Sequence, residues 1–165
     1  MRSLLLALVL ALFASPAHAG KLRAGVLGHE WGTKTSFPAP YAECVHRPEP
    51  SVEWTCAHTI GTVPVTVSFL YRRGTFYGVT VDSKGFTPCT ELIDTVTAAW
   101  GPSRPMKDYA TGKMDERVWI DGTAVATWKY NTYSYACTVL AAEGALMKLL
   151  EKADAQDAAK AADQI

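Results

Sequence analysis

The chain has 165 residues, with 16 basic and 16 acidic side chains, a formal net charge of zero and 48% hydrophobic residues. Near-neutrality without a long basic run argues against nucleic acid as a general partner and against polybasic attraction to anionic lipid. Five tryptophans and seven tyrosines indicate a folded, aromatic-rich sheet protein and not a disordered one.

Residues 1–19 read as a secretory signal peptide. Arg2 supplies the charged start, Leu4 to Phe13 is an unbroken apolar run, and Ala17-His18-Ala19 has the small-x-small cleavage pattern. The run is shorter than the roughly 20 residues a membrane-spanning helix needs, and cleavage before Gly20 leaves no cysteine for a lipid anchor. The expectation is an exported protein, periplasmic or secreted, with no transmembrane segment once the leader is removed. A single α+β domain is expected over 20–150, followed at 151–165 by an exposed helical or frayed tail.

Residues 33–51 contain Pro38, Pro40, Pro48 and Pro50 and read as an ordered loop. Val52, Trp54, Cys56, His58 and Ile60 then alternate, as do Val63, Val65, Val67, Phe69 and Tyr71, the period of strands with one buried face. Arg72-Arg73-Gly74 makes a turn, expected to be a solvated tip, and "TFYGVTVD" returns as a third strand. A helix follows, with Thr87 as N-cap, Pro88 at the first helical position and Gly101-Pro102 as the stop. Its apolar face is Cys89, Leu92, Val96, Ala99 and Trp100. After a loop containing Pro105 and Gly112, "RVWIDGTAVATW" reads as a hairpin turning at Asp121-Gly122, and "YSYACTVLA" as a sixth strand with Tyr135, Cys137 and Val139 on one face. From about Glu143 the chain is helical, with Leu146, Leu149, Leu150 and Ala153 as its stripe. The expected fold class is α+β: an antiparallel sheet of about six strands, in the order β-β-β-α-β-β-β-α, with helices packed on one face. No tandem repeat is visible in the residues.

All four cysteines, Cys44, Cys56, Cys89 and Cys137, lie in the exported part, and an even count in an oxidising compartment implies disulfides. Three connectivities are open. A helix lying on the sheet favours Cys89 with Cys137, leaving Cys44 with Cys56 to close the proline-rich loop onto the first strand.

Three chemistries can be set against these residues. In "GHEWG" the pair His29-Glu30 has the start of a zinc-hydrolase helix motif, but Thr33 stands where the second histidine is required and Gly28 and Gly32 weaken a helix. The stretch therefore reads as a turn with Trp31 as an anchor. Cys44-x-His46 and Cys56-x-His58 form a second metal candidate, two sulfurs and two nitrogens suited to zinc or copper; the competing reading of the same residues is a disulfide, and no cofactor is expected. For a hydrolase there is no Gly-x-Ser-x-Gly elbow, for redox chemistry there is no Cys-x-x-Cys motif, and Asp115-Glu116 reads as a solvated pair in a polar connection. A candidate binding surface remains in Trp119, Trp128, Tyr130, Tyr133 and Tyr135, which would suit a peptide, a glycan or an envelope protein.

Trp31-Gly32-Thr33 near the start and Trp100-Gly101-Pro102 closing the central helix resemble small exported bacterial α+β domains, mostly uncharacterised, that open on a Trp-Gly-Thr turn and carry a helix ending in aromatic-Gly-Pro. The resemblance spans residues 24–141 and implies fold and compartment but no catalytic residue. Together these readings lead to an exported, non-enzymatic binding or accessory protein of the cell envelope. A metal-binding protein is the alternative and a hydrolase without a recognisable motif the third.

Overall fold

The computed structural model describes residues 21–34, 44–47, 52–105 and 114–162; the leader expected at 1–19 lies outside the described residues. In chain order the elements are α1 (Lys21–Ala24), β1 (Gly25–Val26), β2 (His29–Glu30), β3 (Cys44–Arg47), β4 (Val52–Ile60), β5 (Val63–Arg72), β6 (Thr75–Lys84), α2 (Phe86–Trp100), β7 (Arg104–Pro105), β8 (Met114–Asp121), β9 (Ala124–Asn131), β10 (Ala136–Glu143) and α3 (Gly144–Ala162).

Alternation in β5 sets the sheet's inner face, because Val63, Val65, Val67, Phe69 and Tyr71 are buried while Pro64 and Thr66 between them are exposed. Register carries this face across the sheet: Val67 lies opposite Val81, Val81 opposite Val139, and Val139 opposite Trp128. The result is an eight-stranded antiparallel sheet in the order β3-β4-β5-β6-β10-β9-β8-β7, with β1 and β2 forming a separate hairpin. Two strands more than expected come from β3, inside the proline-rich loop, and β7, two residues long. Both are edge strands too short to show a period.

Each half of the chain is a four-strand meander followed by a helix, and the last strands of the two halves, β6 and β10, pair at the centre. This repeat of topology is invisible in the residues because the two meanders share no side-chain pattern.

Helix α2 lies on the inner face, where its Cys89, Leu92 and Val96 are buried. It begins at Phe86, earlier than the Thr87 cap implied. Gly85, at φ 110°, occupies the N-cap without a side-chain hydrogen bond, and its N–H donates to the Tyr135 carbonyl at 2.6 Å. A tertiary contact thus replaces the local cap. Both ends of α2 are pinned. The Cys89–Cys137 disulfide fastens the first turn to β10. At the other end Trp100 packs edge-on against Trp119, whose Nε1–H donates to the Gly101 carbonyl at 2.9 Å. The second disulfide, Cys44–Cys56, joins directly opposed residues of β3 and β4.

The helices do not share one face. Residues 22–33 occupy the inner face beside Phe76, and α3 instead reaches the β5–β6 tip, where Arg72 bonds Asp154 and Arg73 bonds Asp154 and Asp157. Its Leu150 is buried apart from the main core, as is Ala142. The arginine turn expected to be solvated therefore anchors the C-terminal helix. At the start of α3, burial pushes the Glu143 carboxyl up, but the Thr123 hydroxyl and the N–H groups of Leu146 and Ala145 outweigh it and hold it below its usual value.

Candidate functional site

The inner face is not filled beneath α2. A cleft of about 440 Å³ lies there. Its floor is Val79, Val81 and Val139 of the sheet, its roof is Leu92, Thr95, Val96, Ala99 and Trp100 of α2, and Ile60 closes one side. The facing side chains are short: three valines below, and Thr95, Val96 and Ala99 above. With both ends of the helix fixed, these short side chains leave the cleft between them.

The remaining wall is continuous chain, Ala24 to Glu30, which is the β1–β2 hairpin and its approach. Val26 pairs with His29 across a two-residue turn, and Leu27 (φ 51°) and Gly28 (φ 80°) both take the left-handed conformation this turn type needs. Leucine is an unusual residue there and is held at a conformational cost.

Anchors on both flanks hold the hairpin over the cleft. Before it, Leu22 is buried in the core, and the Arg23 N–H donates to Asp121 at 2.9 Å. After it, Trp31 stacks on Phe76 with centroids 5.1 Å apart and donates Nε1–H to the Leu22 carbonyl at 2.7 Å. The Gly32 N–H donates to the Phe76 carbonyl at 2.9 Å, and the Phe76 N–H donates to the Thr33 carbonyl at 3.0 Å. The Trp31-Gly32-Thr33 segment thus bonds to the start of β6.

His29 lines the cleft with its ring against Phe69 (4.9 Å) and Phe76 (5.7 Å), and burial lowers its pKa, favouring neutral imidazole. Glu30 beside it is exposed at the mouth. "GHEWG" is no helix: His29 and Glu30 form β2, and the segment is a wall of the cleft.

The metal candidates are dispersed. Cys44 and Cys56 are bonded to each other, which removes both thiolates. Antiparallel register then places His46 opposite Trp54, whereas His58 is four residues farther along that strand, roughly 13 Å at the strand rise. Two Cys-x-His segments converge only if both histidines point to the same side of the cysteine pair; here they diverge, with the His46 ring against Trp54 at 4.5 Å. Among the described residues no group of three or more His, Cys, Asp or Glu is placed to hold a metal ion.

The aromatic candidates divide. Trp119 and Trp128 are core residues, only 4% and 5% exposed, and Tyr130 is half-buried beside Trp128. Tyr133 and Tyr135 are exposed at 66% and 56%, in the turn before β10 and not within the strand. Phe86, 66% exposed and edge-on to Tyr130, joins that end of the molecule. Of the pair expected to be solvated, Glu116 is 9% exposed and bonded to Lys129 at 3.0 Å across β8 and β9, and Asp115 holds Arg117. Sequence reasoning missed the cleft. Its signals were Leu27-Gly28 as a hairpin turn and the small residues Thr95 and Ala99 on the helix face.

No described helix is long and apolar enough to cross a membrane. No protein-family description, curated protein sequence or solved structure matches the chain.

Proposed function

We propose that the protein is an exported, non-enzymatic binding protein of the cell envelope that holds a small apolar molecule in the cleft between α2, the β1–β2 hairpin and the sheet. The cleft carries this reading, since its volume falls within the roughly 300–1,000 Å³ of small-molecule sites and its lining is predominantly aliphatic. Two disulfides suit an oxidising compartment, in keeping with the leader read at 1–19. The lining includes no serine, cysteine or lysine, and the hydroxyl of its one threonine, Thr95, donates to the Glu91 carbonyl within α2.

Titration with the neutral probe N-phenyl-1-naphthylamine tests the reading. Saturable one-site binding is expected in the wild type, together with a change in Trp100 emission. Binding should be lost in Ala99→Trp, which fills the roof, while its circular dichroism is unchanged. Absence of saturable binding, or undiminished binding in a folded Ala99→Trp protein, would refute it.

The exposed Phe86, Tyr133 and Tyr135 favour a second reading, a stacking surface for a glycan. Co-sedimentation with purified peptidoglycan, reduced in Tyr133→Ala/Tyr135→Ala, is its expected signature.

A further inference from the structure

We infer that the ligand of the cleft is an amphiphile with a hydrocarbon body and an uncharged head, such as an alcohol, ester or amide, and that carboxylates are selected against. This rests on the cleft being a ligand site.

Three features point to it. First, neither lysine nor arginine is in the lining, whose ionisable members are His29 and Glu30. A carboxylate head is normally met by a cation or a fork of donors, and a buried or half-buried charge without one is strongly disfavoured. Second, the exposed charged side chain of the lining is a carboxylate, Glu30, and a further carboxylate, Glu91, stands on α2. Glu91 is drawn to the turn beside Ile60 by a 3.0 Å hydrogen bond from the Thr62 hydroxyl. Of the flanking cations, Arg23 is engaged with Asp121 at 3.2 Å, and Lys34, four residues beyond Glu30, is exposed. Third, the roof runs into the last turn of α2, at Ala99 and Trp100, where the helix dipole presents its negative end. A neutral head meets none of these penalties.

Competition against bound N-phenyl-1-naphthylamine at pH 8, with 1-decanol and decanoate below their aggregation concentrations, separates the possibilities. Decanol should displace the probe at a concentration lower by about tenfold or more, since the same chain carries no charge to bury. Glu30→Lys, an exposed substitution, should narrow the decanol–decanoate ratio by about threefold or more by removing one repulsion and adding one attraction. Glu30→Gln should give an intermediate ratio. Decanoate binding as tightly as decanol, or a ratio unmoved by Glu30→Lys in a protein that still binds decanol, overturns the inference while the cleft remains a ligand site. If neither compound nor the probe binds, the cleft reading falls as well. A stable dimer by sedimentation that resists both compounds would assign the cleft to a second copy of the chain, with the same consequence.

Discussion

Removing the Cys89–Cys137 disulfide should damage both stability and binding, whereas removing Cys44–Cys56 should damage stability alone. The first bond closes 48 residues and the second 12. On the chain-entropy account, the loss of each restriction on the unfolded chain costs about 4 and about 3 kcal/mol respectively. Because the two loops do not overlap in sequence, the losses should add. For a domain of this size 4 kcal/mol lowers the melting temperature by roughly 10–15 °C. The functional difference comes from position. Cys89 is buried in the first turn of α2, one turn before Leu92 in the roof of the cleft, while Cys44 and Cys56 link β3 to β4, strands that contribute only Ile60 to the lining. Cys89→Ala/Cys137→Ala removes the covalent tie of the first turn of α2 and leaves the Gly85–Tyr135 hydrogen bond and packing to hold that end, so probe affinity should fall about tenfold, the loss expected when a preorganised site must be ordered on binding. Urea denaturation of both double variants measures the stabilities, and probe titration measures the second effect. Equal or greater destabilisation by Cys44→Ala/Cys56→Ala, or unchanged affinity in Cys89→Ala/Cys137→Ala, would refute the assignment of α2 as a pinned roof.

Gly25→Ala should distort the hairpin, because a Cβ there would lie 1.9 Å from the His29 carbonyl oxygen, a backbone atom that cannot step aside; loss of probe binding with a modest fall in melting temperature is expected, and unchanged binding would show that the hairpin is not a wall. Arg72→Ala/Arg73→Ala should raise hydrogen exchange throughout α3 without altering that of α2. Burial raises the Asp154 carboxyl, but its bonds to Arg72 and Arg73 prevail and depress its pKa, so the same loosening should develop in the wild type as pH falls through the lowered value. For His29 the sign is set by burial lowering its pKa. The unfolded chain takes up a proton below about 6.5 that the folded protein resists, so stability should be full above that pH and decline below it. Melting curves from pH 7.5 to 5 should fall less steeply for His29→Gln; identical slopes would show that His29 is not the group responsible.

Elements with long periods were legible in the residues. The valine alternation of β5 and the central helix stand where the pattern places them, as do both disulfides, and the β8–β9 hairpin is present but turns one residue later than Asp121-Gly122, at Gly122-Thr123. What failed depended on partners distant in sequence. The cap of α2 is missing because Gly85 bonds to Tyr135, 50 residues on. Arg72 and Arg73 had no visible counter-charge because Asp154 and Asp157 lie more than 80 residues away. Trp119 and Trp128 could not be told from surface aromatics, since both faces of their hairpin carry large groups and only the placement of α2 and α1 decides which are covered. The cleft is a still less local property, a space left by short side chains on three separate elements.

An unfilled cleft in a domain this small needs an energetic account. Treated as a dry void at about 24 cal/mol per Å³, 440 Å³ would cost on the order of 10 kcal/mol, similar to the whole net stability of a typical domain. Opening to water at its mouth lowers that figure, and the two disulfides contribute about 7 kcal/mol against it. The same reasoning distinguishes a ligand site from a packing defect. A specific ligand at one hundred times its Kd should stabilise the protein by about 2.7 kcal/mol, roughly an 8 °C rise in melting temperature. Ala99→Trp should reproduce part of that gain without ligand, by filling the roof, and should then show no further rise when decanol is added. A defect would show the first effect without the ligand-dependent one. A binding site shows both, and pinning α2 at each end over short facing side chains is the arrangement that keeps such a site open between ligands.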